Sequence, residues 1–232
     1  MELIWQGIVK AIHLIISGDP EIIDITLRTL QVSGSATFIS LLIGVPLGTL
    51  LALAEFPGRR VVLSIVNTSM GLPPVVVGLW VSIFLWRSGP FGFLGILYTP
   101  WAIILAQAVI ASPIVLGLTC AAIQQTDPKL RLQIKALGTT RLQFLWLLLK
   151  EVRFSLLAAI IAGFGGVVSE VGASMMVGGN IKGQTRVLTT ATVLEVAKGN
   201  FDIAIALTII LSLLAYGVTL WLTILQQRQR GI

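Results

Sequence analysis

The sequence predicts an all-α integral membrane protein built on five membrane-crossing segments. Three observations carry that expectation. Of the 232 residues, 56% are hydrophobic and only 11% are charged, whereas soluble domains carry about a quarter charged residues. The mean hydropathy is +0.95. Five apolar runs, roughly 26–54, 61–86, 98–124, 154–172 and 202–225, are each long enough to cross a hydrocarbon core.

The residues before the first run read differently. The stretch MELIWQGIVKAIHLIIS is apolar but short, and Lys10 and His13 interrupt it. It lacks the basic start and small-residue cleavage site of a signal peptide. Residues 1–20 are therefore expected to form an amphipathic helix on the membrane surface, with a sixth short span as the alternative. Residues 21–232 make up the transmembrane domain.

The basic residues orient the runs. Loops on one side hold Arg59, Arg60, Lys129, Arg131, Lys135, Arg141, Lys150, Arg153, Arg228 and Arg230, against Glu55, Asp127 and Glu151. The other side carries equal numbers of basic and acidic residues once Glu170 is left out. The basic side is expected to be cytoplasmic, which places the C-terminal QQRQR inside. The net charge of +6 then belongs to cytoplasmic loops, and no nucleic-acid partner is expected. Cys120 is the single cysteine, so no internal disulfide can form.

Prolines punctuate the second and third runs. In GLPPVVVGL, Pro73 and Pro74 remove backbone donors and kink the helix. ASPIVLG, residues 111–117, repeats the device in the third run. Broken helices are tolerated in a membrane where the freed groups face protein or a water-filled cavity.

The longest cytoplasmic connection is DPKLRLQIKALGTTRLQFLWLLLKEVR, residues 127–153. Asp127 can cap a helix, Pro128 suits its first position, and Gly138 can end it. Leu130, Ile134 and Leu137 share one face, and Leu132 and Ala136 form a second apolar strip. Lys129, Arg131 and Lys135 take the remaining surface. A helix with two apolar faces can pack on the bundle and offer the other face to a soluble partner. Lying on lipid headgroups is the equal alternative.

The fourth run ends in SEVGASMMVGGNIKGQTRVLTTA, residues 169–191. Gly163, Gly165 and Gly166 allow a close helix neighbour. Glu170 is an ionisable group at the end of a span, and such groups face a partner or a cavity. It either shapes a pathway or serves as a structural cap or ion-pair partner. Gly172, Gly178, Gly179 and Gly183 let the chain turn back. A short re-entrant helix is expected over residues 185–197, carrying Thr189, Thr190 and Thr192. Lys182 and Arg186 add positive potential on the outer side. The segment GGNIKGQT nearly matches a phosphate-binding loop, but Gln184 stands where lysine is required, so nucleotide binding is not expected.

These motifs carry a resemblance. DPKLRLQIKALGTT is similar to the coupling-helix region of ABC importer permeases, although Leu132, Gln133 and Ile134 replace the family's Glu-Ala-Ala. GLPPVVVGL and ASPIVLG resemble the proline-containing spans of the molybdate/tungstate branch. SEVGASMMVGGNIKG, followed by Thr185-Arg186, resembles that branch most specifically, on its tungstate side. The likeness covers about residues 26–225.

The resemblance implies the five-helix core of the type I ABC importer permease fold, with a coupling helix over about 127–139. It implies inward transport of an oxyanion, tungstate first and molybdate or sulfate as alternatives. Coupling to an ATPase would fall on Lys129, Leu130, Leu132, Gln133, Ala136, Leu137 and Gly138. The translocation pathway and gate would fall on Pro73, Pro74, Glu170, Gly172, Thr189 and Thr190. Lys182 and Arg186 would attract the anion or dock an extracytoplasmic oxyanion-binding protein. ATP and magnesium would sit on two copies of a separate ATPase subunit. One chain is too small to enclose a wide pathway, so a two-fold homodimer is expected in the cytoplasmic membrane of a prokaryote.

Other classes fit less well. A secondary transporter or channel predicts an inverted repeat or several paired intramembrane charges, and only Glu170 is found. An enzyme is not expected. His13 is the only histidine, and neither a metal constellation nor a nucleophile–base pairing can be read.

Overall fold

The computed structural model describes residues 2–228 and consists, among those residues, of helices joined by short connections. Met1 and residues 229–232, including the expected cytoplasmic Arg230, lie outside the described residues. Eleven α-helices run in order: α1 (Glu2–Ile16), α2 (Pro20–Leu53), α3 (Arg59–Met70), α4 (Pro74–Leu85), α5 (Pro100–Gln124), α6 (Pro128–Ala136), α7 (Arg141–Glu151), α8 (Arg153–Val168), α9 (Gly172–Gly178), α10 (Leu188–Ala197) and α11 (Phe201–Arg228). One 3₁₀ turn, Gly92–Leu94, lies between α4 and α5.

α2, α5 and α11 are each long and apolar enough to cross a membrane unbroken. The second and fourth expected spans are not straight rods. α3 and α4 meet at a bend of 102°, and α8 and α9 at a bend of 61°. Counting each bent pair as one crossing gives the five spans read from the runs. The proline pair causes the first bend. Pro73 sits just ahead of α4 and Pro74 opens it, where a missing N–H costs nothing.

α5 is the hub. Ala102, Ile103, Ala106, Ala111, Val115 and Ile123 are all fully buried, against α2 on one side and α8, α9, α3 and α4 on the others. Its approach to α2 depends on Gly44 and Gly48, one turn apart in GVPLG. A Cβ on Gly48 would stand 2.6 Å from the Leu116 carbonyl oxygen, and one on Gly44 would stand 2.9 Å from the Leu116 nitrogen. The backbones are in near contact, the small-residue packing that replaces hydrophobic drive inside lipid. In the fourth span Gly163 has the expected role, lying 3.2 Å from Val115 by the same measure, but Gly165 faces open space.

α1 covers most of the expected surface segment. It packs along α11, where Gly7 sits against Ile205 and Ala11 is buried. With 15 residues at about 1.5 Å each, it is shorter than the roughly 30 Å hydrocarbon core.

Replacing Gly48 with alanine is expected to lower stability by about 1–3 kcal/mol through overpacking. Gly34→Ala in the same helix, where nothing lies within 4 Å, serves as the neutral control. Thermal melting of the two variants in detergent checks the difference.

Candidate translocation site and coupling helix

The two proline motifs and Gly166 of the fourth span converge on one space. A cavity of about 360 Å³ is lined by Ser69, Gly71, Pro73, Pro74, Pro113 and Gly166, among others. Its walls come from α3, the bend, α4, α5 and α8. Sequence distance hides this convergence, because Pro74 and Gly166 meet only through the bend.

Beyond the bends, α4 and α9 lie nearly backbone to backbone. A Cβ on Gly78 would meet the Ala173 Cα at 2.6 Å, and one on Gly172 would meet Val75 at 2.5 Å. This corrects the expectation for Gly172 and Gly178. Both are helical, and close packing explains them, since a Cβ on Gly178 would stand 2.7 Å from Ile103. The chain reverses instead at Gly179 and Gly183, whose φ values of 69° and 73° suit glycine. Asn180 joins them in the left-handed region at φ 51°.

Glu170 sits in the break between α8 and α9, half-buried. Its Oε1 accepts a hydrogen bond from the Ala173 N–H at 2.9 Å, capping the first turn of α9. No ion pair reaches it among the described residues. Of the two structural roles left open, the cap is the one formed. The Glu170 carbonyl accepts from the Thr189 hydroxyl at 3.1 Å, which ties α10 to the same break.

The expected re-entrant helix begins three residues later than its signal, at Leu188. Thr185 is consumed by the preceding loop. Fully buried, it accepts from the Ile181 N–H at 2.9 Å and donates to the Gly178 carbonyl. Thr190 is also fully buried and accepts from the Val187 N–H at 3.1 Å. Its own carbonyl receives the Asn180 side chain at 3.2 Å. Thr192 bonds the Leu188 carbonyl. The threonine hydroxyls thus turn to backbone groups of this chain.

Three contributors were not singled out in the sequence. Thr29, buried in α2, accepts from the Leu188 N–H at 2.9 Å and so caps α10 from another helix. Buried Gln107 of α5 donates to Ser174 of α9 at 3.2 Å. Glu21 takes Lys182 at 2.6 Å and Arg186 at 3.4 Å, so both of these cations are anchored to the start of α2. An isolated polar residue inside an apolar run was the available signal for Gln107. Nearby, hydrogen bonds from the Asn200 amide and then Lys198 hold the Glu195 carboxyl below the usual carboxylate range.

The helix expected over about 127–139 forms as α6. Asp127 accepts from the Lys129 N–H at 2.8 Å, Pro128 is the first helical residue, and Gly138 has φ 71°. Ile134 is buried, and Arg131 donates to the Ile123 carbonyl at the end of α5. Leu130 is partly buried beside them. Leu137 does not join that face, since the helix ends at Ala136 and leaves it 80% exposed. It falls instead with Leu132, 67% exposed, and the exposed Ala136. Lys129, Gln133 and Gly138 are exposed as well. Thr140 and Gln143 then form a capping box that starts α7.

Five apolar crossings, two of them broken around a shared cavity, with a capped helix carried beyond the bundle, define a multi-pass membrane transport component. The chain belongs to the family of binding-protein-dependent transport system inner membrane components, whose model matches residues 44–231. It is 37% identical to the tungstate uptake system permease protein TupB of Peptoclostridium acidaminophilum, over 98% of this chain and 100% of that one. It is 38% identical to TupB of Campylobacter jejuni, over 93% and 90%. In fold it is similar to a chain of the inward-facing MetNI methionine ABC transporter, with a TM-score of 0.75 and 22% identity over 90% of this chain and 95% of that one.

Glu170→Ala removes the cap of α9 and is expected to cost about 1 kcal/mol. Glu170→Gln keeps an acceptor oxygen and should lose less. Melting temperatures of the two variants check the order. Equal values would show that the cap contributes nothing.

Proposed function

We propose that this chain is the permease subunit of an ABC importer that carries tungstate into the cell. It forms the pathway and catalyses no reaction itself. Two copies pair about a two-fold axis, and each receives one ATPase subunit that holds ATP and magnesium. An extracytoplasmic binding protein delivers the oxyanion. Near-full-length likeness to tungstate uptake permeases supports the substrate, with molybdate or sulfate as the alternative oxyanion.

The observation that carries the coupling reading is the outward face of α6. Leu132, Ala136 and Leu137 form an apolar strip on a capped helix whose other side is fixed by Ile134 and Arg131. An exposed apolar patch of this kind fits a protein partner. Closure of the ATPase pair moves α6, and α6 passes that motion to α5 through Arg131 and to α8 through α7. The α3–α4 and α8–α9 bends then rearrange around the shared cavity, giving alternating access. Gly172, Val75 and Glu170 stand at the meeting point of the two broken spans, where a gate would act. Lys182 and Arg186 lie at the opposite end from α6 and fit the docking of an anionic partner or substrate. A carboxylate beside a dianion is repulsive, so Glu170 acts through the backbone it caps.

Leu132→Asp with Ala136→Asp is expected to abolish co-purification with the ATPase and at least about tenfold of the stimulated ATP hydrolysis, since charges would replace a desolvated contact. The variant should keep its melting temperature, because both side chains are exposed. Tungstate uptake by reconstituted vesicles, measured by elemental analysis, tests the substrate. Preferred accumulation of molybdate or sulfate would reassign it.

Orientation is tested in a Cys120→Ser background. A single cysteine at position 60 should label only from the cytoplasm and one at 182 only from outside. Labelling of both from one side would overturn the topology.

A further inference from the structure

Another cavity lies away from the bends, between α2 and α7. It is a groove of about 620 Å³ lined by Pro46, Leu50, Leu53, Leu142, Trp146 and Leu149, among others. Its walls are apolar throughout apart from Thr49. α7 supplies its side through the i, i+3, i+4, i+7 spacing of Leu142, Leu145, Trp146 and Leu149. Leu148 points the other way, fully buried against α2 and α5.

The edge of this groove is cationic. Lys150 stands over the Trp146 ring, 5.1 Å from its centroid, and Trp146 itself is 60% exposed. Arg141, exposed, precedes Leu142 at the other end of α7. Lys135 lies over Phe144, and Arg153 over Phe154. Among the described residues, the ion pairs are Arg28–Asp24, Lys182–Glu21, Arg186–Glu21 and Lys198–Glu195. No cation from α6, α7 or the start of α8 takes part. The ion pairs among the described residues thus lie at one end of the bundle, and at the other end ten basic residues of the sequence face Glu55, Asp127 and Glu151.

We propose that the α2–α7 groove is a binding site for an anionic phospholipid. One acyl chain lies along Pro46, Leu50, Leu53 and the α7 leucines. The headgroup phosphate is met by Lys150, which the Trp146 ring holds at the rim. Amphipathic tryptophan and snorkelling lysine both settle at the headgroup level, and basic pockets between membrane helices select anionic headgroups. The excess of cations that form no ion pair among the described residues favours this occupant over a second copy of the chain, whose matching face would carry the same charges. The lipid would brace α7, the link from α6 to α8, so that membrane composition bears on the coupling segment.

The full-length protein is placed in phosphatidylcholine nanodiscs containing either brominated-chain phosphatidylglycerol or brominated-chain phosphatidylcholine. The signal from Trp146 is the difference between the native protein and Trp146→Phe. Half-quenching is expected at an about fivefold lower mole fraction of the phosphatidylglycerol, the effect of one headgroup contact to a lysine. Lys150→Glu should remove that preference, and Lys150→Gln should reduce it while keeping the exposed site neutral. Native mass spectrometry should find retained phosphatidylglycerol on the native protein and its loss from Lys150→Glu. Equal quenching by both lipids overturns the proposal, because it means unselective lipid contact. An absence of quenching at Trp146 also overturns it, because the groove is then covered by protein. None of these readouts requires transport or ATP hydrolysis, so their failure leaves the permease reading untouched.

Discussion

Inside a bilayer no water is available to satisfy a backbone N–H or C=O, and each unpaired group costs several kcal/mol. Two of the five crossings here are nevertheless broken. The structure around each break is organised by where the freed groups go. At the second span, the Gly71 and Leu72 N–H groups turn back onto the Thr68 and Ser69 carbonyls, and prolines at 73 and 74 remove the next two donors. At the fourth span, the Glu170 carboxylate takes the Ala173 N–H and the Glu170 carbonyl takes the Thr189 hydroxyl. Thr29 then answers the first N–H of α10 from across the bundle. Glu170, Thr189 and Thr29 thus supply the hydrogen bonds that keep the broken fourth span and α10 satisfied in lipid.

That satisfaction also explains the packing. Breaks bring α4 and α9 so close that only Gly78 and Gly172 fit, and Gly44 and Gly48 do the same for α2 and α5. Close backbone approach gives the dispersion contact that lipid-exposed hydrophobic side chains cannot supply by burial alone. The cavity at Pro73, Pro113 and Gly166 is the space left where the bent spans do not fill the bundle. A permease needs such a space to be enclosed by elements able to change their mutual angle, and bends between short rigid helices provide it.

The two ends of the bundle differ in how charge is handled. Around Glu21, Lys182 and Arg186 the charges are paired and anchor the loop before α10 to the start of α2. Around α6 and α7 the cations rest on aromatic rings and the apolar strip of α6 faces outward.

Much of this was determined by the sequence alone. Composition and run length decide the number of crossings, because burial of apolar length in lipid depends on little else. Asp127-Pro128 and Gly138 fix the ends of α6, because caps act within one helical turn. Pro73-Pro74 locate the first break for the same local reason. What local chemistry could not decide was which distant backbones meet. Leu137 looked like a packing residue by periodicity, yet the helix ended one residue too soon. Gly172 looked like a turn, yet a neighbour's Val75 demands its missing side chain. Thr189 and Thr190 were read only as hydroxyls on a re-entrant helix, and their partners lie in the break at Glu170 and within their own turn. Thr29 carried almost no signal, since its partner is 159 residues away. Tertiary structure decided these because hydrogen-bond satisfaction and backbone contact depend on spatial neighbours, and sequence spacing reports only those within a helical turn or two.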